Sequence, residues 1–228
     1  MAAGNEVIPR PAATVVLVRS LNGKREVFLT RRPDTMDFLG GFYVFPGGRV
    51  DMVDRTNEAR GRVIGFEEGD FTPSVKYEEV GEILDDGNSL IPVDFYTAGI
   101  RELFEESGVL LLCNGSGEIV SGDVYEEIRE SSINLSSESF LEKVVERGFY
   151  YAAFSLKFLQ LFITPPLAHQ RFYTIFFVAS LPEGQRAGVE TGEVSESFWM
   201  SPGEALERGD SGEFPMIYPT TLALRSLV

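Results

Sequence analysis

The sequence predicts a mixed α/β domain in which helices cover a sheet. Three observations point there. Runs of strand length, rich in β-branched and aromatic residues, stand near both ends of the chain, and a stretch with helical periodicity around residues 95–107 stops at a glycine. The 228 residues, 43% of them hydrophobic, are enough to bury a core. This length suits one domain over 1–228, with insertions at about 52–93 and about 114–150.

Taken in order, ATVVLVRS (13–20) and REVFLTRR (25–32) are β-branched runs separated by LNGK, whose Asn22-Gly23 pair favours a hairpin turn. GGFYVFPGGRVD (40–51) places a short aromatic strand between glycine pairs, and Pro46-Gly47-Gly48 turns the chain. From Met52 to about Val93 the sequence is acidic and weakly periodic, which reads as an exposed insertion with one short helix and no evident chemistry. A helix then runs from about Phe95 to Ser107 and ends at Gly108, the usual left-handed cap. GDVYEEIRE and SSESFLEKVVERG, within 122–148, read as helices, the second capped by Ser136 or Ser137. RFYTIFFVASLP (171–182) has a buried-strand pattern, and EVSESFWMS (193–201) alternates as another strand. Ser201-Pro202-Gly203-Glu204 opens a last helix by cap and first-turn proline.

Composition narrows the partners. Thirty-five Asp and Glu against 20 Lys and Arg give a net charge of -15, which speaks against nucleic acid or an anionic membrane as partner. An anionic small molecule fits if metal ions bridge it, and a homodimer is compatible with the sequence. Cys113 is the only cysteine, so no internal disulfide and no cysteine-rich zinc site can form. No apolar run approaches the roughly 20 residues of a membrane helix. MAAGNEVIPRP lacks the apolar core of a signal peptide, and the terminal RSLV is not a Ser-Lys-Leu address. The expectation is a soluble, cytoplasmic protein.

The chemistry concentrates in AGIRELFEESGVLL (98–111). With Ile100 as the reference direction and about 100° added per residue, Leu103 and Phe104 flank it closely and make a core stripe. Glu102, Glu105 and Glu106 all fall on the opposite side, so three carboxylates share one face. Like charges so placed weaken the helix unless something compensates. A solvated acidic face is one reading; a site for a hard divalent ion, which prefers oxygen ligands, is the other.

The wider pattern favours the second reading. Arg101-Glu102-Leu103-Phe104-Glu105-Glu106-Ser107-Gly108-Val109 resembles, over nine positions, the second half of the box that defines the Nudix hydrolases. In that family a glycine is followed by five residues, a Glu, seven residues and the Arg, so Gly and Arg stand 14 apart. Here Gly48 and Arg101 stand 53 apart, so a long insertion interrupts the box. The loop Glu has no assigned counterpart; Glu78, Glu79 and Glu82 are candidates that could fold back, and a purely decorative insertion is the alternative.

The resemblance implies a Nudix-type α/β/α sandwich with a mixed β-sheet and two insertions. It also implies hydrolysis of a nucleoside diphosphate linked to another group, with Mg²⁺ or Mn²⁺ held by Glu102, Glu105, Glu106 and the carbonyl of Gly48, or of its neighbour Gly47. Arg101 would hold the carboxylates in place. The general base would be a Glu of this helix, Glu105, or a loop Glu nearer the C-terminus, Glu193, with Glu190 and Glu196 beside it. Arg32 and Arg171 are candidate substrate contacts, while His169, the only histidine, sits in a loop. FLTRRPDTMDFLGGFYVFPGGRVD partly resembles the signature of coenzyme A diphosphatases, though without the arginine expected within DTMDF. The interrupted box and the closing segments resemble the branch with the peroxisomal coenzyme A diphosphatases. Coenzyme A or acyl-CoA is therefore the favoured substrate, with ADP-ribose, nucleotide sugars and dinucleoside polyphosphates open. A catalytically silent module that binds a nucleotide or a protein is the alternative from another class.

Overall fold

The computed structural model describes residues 8–67, 90–131, 136–188 and 194–228. Strand β1 (Arg10–Leu21) turns through Asn22 and Gly23 into β2 (Lys24–Arg31), with Leu21 opposite Lys24. Both turn residues have positive φ, 52° and 75°, the geometry that matches the twist of a two-residue hairpin. β3 (Tyr43–Val44) and β4 (Gly47–Arg49) pair with β2 and β1.

A 3-10 turn (Val53–Arg55), helix α1 (Asn57–Arg60) and strand β5 (Val63–Ile64) follow, in the stretch expected from the sequence to be the first insertion. Helix α2 (Val93–Ser107), strand β6 (Leu112–Cys113), helices α3 (Gly122–Ser131) and α4 (Ser137–Glu146) and strand β7 (Tyr150–Ala152) come next. β8 (Lys157–Ile163), β9 (Phe172–Ser180), β10 (Glu196–Met200), α5 (Pro202–Asp210) and α6 (Tyr218–Arg225) complete the chain.

The main sheet runs β10-β2-β1-β9-β8, with β3 and β4 attached, and is mixed because β1 and β9 pair in parallel from Arg10 opposite Phe172 to Val18 opposite Ser180. Alternation along β1 sorts the layers. Ala13, Val15 and Leu17 join the core under α2, α3 and α4, whereas Val16 joins Ala205, Phe214, Ala223 and Leu224 under α5 and α6. Helices thus cover both faces, as the predicted α/β/α sandwich requires. A second, three-stranded sheet, β5-β7-β6, knits the first insertion to the segment that follows α4.

The expected helices start and stop where the capping residues say. Ser136 accepts from the Ser139 N–H, Ser201 accepts from the Glu204 N–H, and Gly108 closes α2 at φ 72°. The sequence does not announce the short strands β5, β6 and β7, nor β8 and α6. One expectation needs correction: the described part of the stretch from 52 to 93 is not an exposed ornament, because Asp54, Arg55 and Ala59 are buried in it.

Candidate active site

Almost the whole of α2 is buried, charged residues included, so the reading of its acidic face as freely solvated fails. The helix lies along β1, where Gly99 lets it approach Val15 closely. Arg101, 1% exposed, is the hub. Its Nε and Nη2 donate to the two oxygens of Asp54 at 3.0 and 2.8 Å, Nη1 donates to Glu102 and Glu105 at 2.9 Å each, and Nη2 also donates to the Arg49 carbonyl at 3.0 Å. All five guanidinium protons are thereby used. Glu106 points the other way: its Oε2 accepts from the Gly47 N–H at 3.1 Å. The Gly48 Cα lies so close to the Glu102 carboxylate that a side chain of any size would collide with it.

One guanidinium cannot balance this many carboxylates. Burial pushes Glu102 up to about 7, and Arg101 only partly opposes the shift; burial likewise pushes Glu105 up to about 7. Burial also raises Asp54, against the pull of Arg101, while Arg101 itself is raised because its carboxylate partners outweigh its own burial. Glu105 Oε1 is buried with no hydrogen-bond partner. Surplus negative charge, hard oxygen donors and an orphaned carboxylate oxygen together fit a hard divalent cation. Among the described residues, no three His, Cys, Asp or Glu side chains converge on one metal-sized point, since Arg101 stands between Glu102 and Glu105 and Glu106 turns to Gly47.

The cluster forms one end of a cavity of about 750 Å³. Gly47, Gly48, Asp51 and Ser137 line that end, and Ala12 and Thr14 of β1 with Thr174 of β9 make the floor. Arg10, Arg32 and Arg49 line it too, as do the rings of Phe38, Phe162 and Phe172. Anionic, cationic and apolar surfaces therefore share one cleft.

A profile described as the NUDT19 Nudix domain matches residues 1–227. The chain belongs to the NUDT19 Nudix domain family. The crystal structure of a Nudix hydrolase from Alicyclobacillus acidocaldarius is similar, with a TM-score of 0.76 and 27% identity over 96% of this chain and 91% of that one. A Caenorhabditis elegans protein named "Putative nudix hydrolase 7" is 26% identical over 216 residues, and the acyl-coenzyme A diphosphatase NUDT19 of Xenopus laevis is 26% identical over 209. The matches take in 93% and 80% of this chain but only 59% and 54% of those proteins, so the chain spans little more than half their length.

With the Nudix frame in place, the residue missed from the sequence is Asp54. It stands six positions after Gly48, where the box puts its loop Glu, and grips Arg101 from there. The family spacing was the available signal; the change from Glu to Asp hid it. The insertion thus follows the loop acid, and Glu78, Glu79 and Glu82 lie outside the described residues. Of the other candidates, Arg32, Gly48, Arg101, Glu102, Glu105 and Glu106 all line the cleft. Arg171 does not: its buried side chain donates to the Thr164 carbonyl at 3.0 Å and closes the 164–171 loop. His169 is exposed on that loop, Glu196 is exposed at the start of β10, and Glu190 and Glu193 lie outside the described residues.

Proposed function

We propose that this Nudix domain hydrolyses the phosphoanhydride of a nucleoside diphosphate linked to another group, with coenzyme A or an acyl-CoA as the favoured substrate. The observation that carries the reading is the convergence of one helix face on a cleft, with Glu102 and half-buried Glu105 bonded to Arg101 and buried Glu106 bonded to the Gly47 N–H. In this reading Mg²⁺ or Mn²⁺ is held by those three carboxylates and the Gly48 carbonyl, and when bound it neutralises the diphosphate and acidifies the attacking water. The chain's own residues do the rest. Arg101 spaces the carboxylates, the unpartnered Glu105 Oε1 is placed to take a proton, and Glu193 is the loop alternative. Arg32 offers a cation to substrate phosphate, and Phe38, Phe162 and Phe172 offer apolar surface for the group beyond the diphosphate. The name of the Xenopus relative and the partial coenzyme A signature support that choice of substrate. A buried lone Cys113 suits a reducing compartment such as the cytoplasm, and no helix among the described residues is long and apolar enough to cross a membrane.

Purified protein with Mg²⁺ should convert coenzyme A to phosphopantetheine and adenosine 3′,5′-bisphosphate, read by phosphorus NMR against ADP-ribose, a nucleotide sugar and a dinucleoside polyphosphate. Turnover of one of the others instead would reassign the substrate. Binding without turnover of any would make the domain a silent binding module. Glu106→Gln keeps an acceptor for the Gly47 N–H, so it should fold normally and lose turnover by orders of magnitude.

A further inference from the structure

The second insertion reaches the α2 cluster by an explicit contact. Ser137, the first residue of α4, donates from Oγ to Asp51 Oδ2 at 3.1 Å, across 86 positions of sequence. Asp51 gives its own backbone N–H to Asp54 Oδ2 at 2.9 Å, the oxygen that also accepts from Arg101 Nη2 at 2.8 Å. The Asp51 carboxylate stands 3.8 Å from Arg101 Nη2, and with its side chain 42% exposed it lines the cleft beside Ser137.

Charge explains why that hydroxyl matters. Arg101 already spends every proton on Asp54, Glu102, Glu105 and the Arg49 carbonyl. Held 3.8 Å from Nη2, the Asp51 carboxylate adds an attraction that helps to fix the guanidinium; free to rotate, it would compete with Asp54 and draw Arg101 away from the glutamates. The Ser137 hydroxyl occupies Asp51 Oδ2 and fixes its direction. The position of Ser137 is itself held from two sides. α4 packs against the Val53–Arg55 turn that carries Asp54, and just after α4 the Tyr151 N–H donates to the Arg62 carbonyl of the first insertion at 2.7 Å.

We infer that Ser137 and Asp51 are positioning residues through which the second insertion sets the geometry of Arg101, Glu102 and Glu105. This rests on the phosphoanhydride hydrolase reading of the same site. The test compares wild type, Ser137→Ala, Asp51→Asn, the double variant and Ser137→Thr in the full chain. Mn²⁺ binding is read by electron paramagnetic resonance, and kcat and KM on whichever pyrophosphate the wild type hydrolyses. Each single variant should weaken Mn²⁺ binding and lower kcat by about tenfold, as loss of an outer partner of a metal site does. KM should stay within about twofold, the double variant should be no worse than the poorer single one, and threonine should restore most of the loss. Singles that bind Mn²⁺ and turn over like wild type, or effects that multiply in the double variant, would overturn the inference. Should Asp51→Asn fail to fold, the two Ser137 variants decide alone. A wild type that binds Mn²⁺ but hydrolyses nothing defeats the proposed function and leaves the Mn²⁺ comparison to decide this one; a wild type that binds no Mn²⁺ defeats both.

Discussion

Asp54 is the residue on which the cluster's stability turns. It is 1% exposed, as is Arg101, and both of its oxygens are bonded to that guanidinium. Removing one partner of a buried pair leaves the other charge without compensation, so Asp54→Ala should cost about 3 kcal/mol or more in urea unfolding. Glu102 and Glu105, pushed up to about 7 by burial, make a pH prediction. Their folded values lie above the ordinary 4.5, so the native state keeps protons that the unfolded chain has released. Stability should therefore fall as pH rises from about 4.5 to about 7. A divalent ion binds the ionised form, so millimolar Mg²⁺ should raise the melting temperature more at about pH 8 than at about pH 6. Equal shifts at both would separate these carboxylates from the metal. At this scale Arg101 and the three glutamates were legible because their identity and spacing suffice, while Asp54 was not, because an Asp stands where the family pattern has Glu and its grip on Arg101 forms only when a turn 47 positions away folds onto the helix.

Elements differ in how much of their own evidence they carry. The β1–β2 hairpin and the caps of α2, α4 and α5 are local, since turn and cap residues act within a few positions, and the sequence shows them. β8 is half-buried along most of its length and has a register shift between Phe158 and Gln160, which blurs its alternation. α6 begins after Ile217 with no side-chain cap and holds two threonines, so its stability comes from burying Ala223 and Leu224. The contact of β4 with α2 is a test at this level. Gly48→Ala drives a methyl into the Glu102 carboxylate and should cut turnover strongly while costing about 1–3 kcal/mol. Gly203→Ala in α5 meets nothing within 4 Å and should instead stabilise by about 0.5–1 kcal/mol, read by thermal melting.

Across the whole molecule, a small sheet ties the two insertions to each other beside α2. β5 comes from the first and β7 follows the helices of the second, and the small sheet joins them next to β6, which follows α2. The Tyr151 and Ala152 amides donate to Arg62 and Leu111 carbonyls and both residues are buried. Hydrogen exchange should find these amides protected to the level of α2, as for a single cooperative unit. Exchange as fast as an exposed loop would show that the small sheet opens independently and would weaken its tie to the site.

The sequence by itself determined the layered α/β class, the first hairpin, the helix α2 with its cap and the identities of its charged residues. Each of these is written in neighbouring positions, where turn chemistry, periodicity and side-chain type act directly. Tertiary structure alone decided that the acidic face is buried, that Asp54 grips Arg101, that Arg171 faces a loop carbonyl instead of the cleft, and that Ser137 reaches Asp51. Burial and long-range charge pairing depend on which distant segments share a space, and a low-dielectric interior sets their strength only once those segments meet.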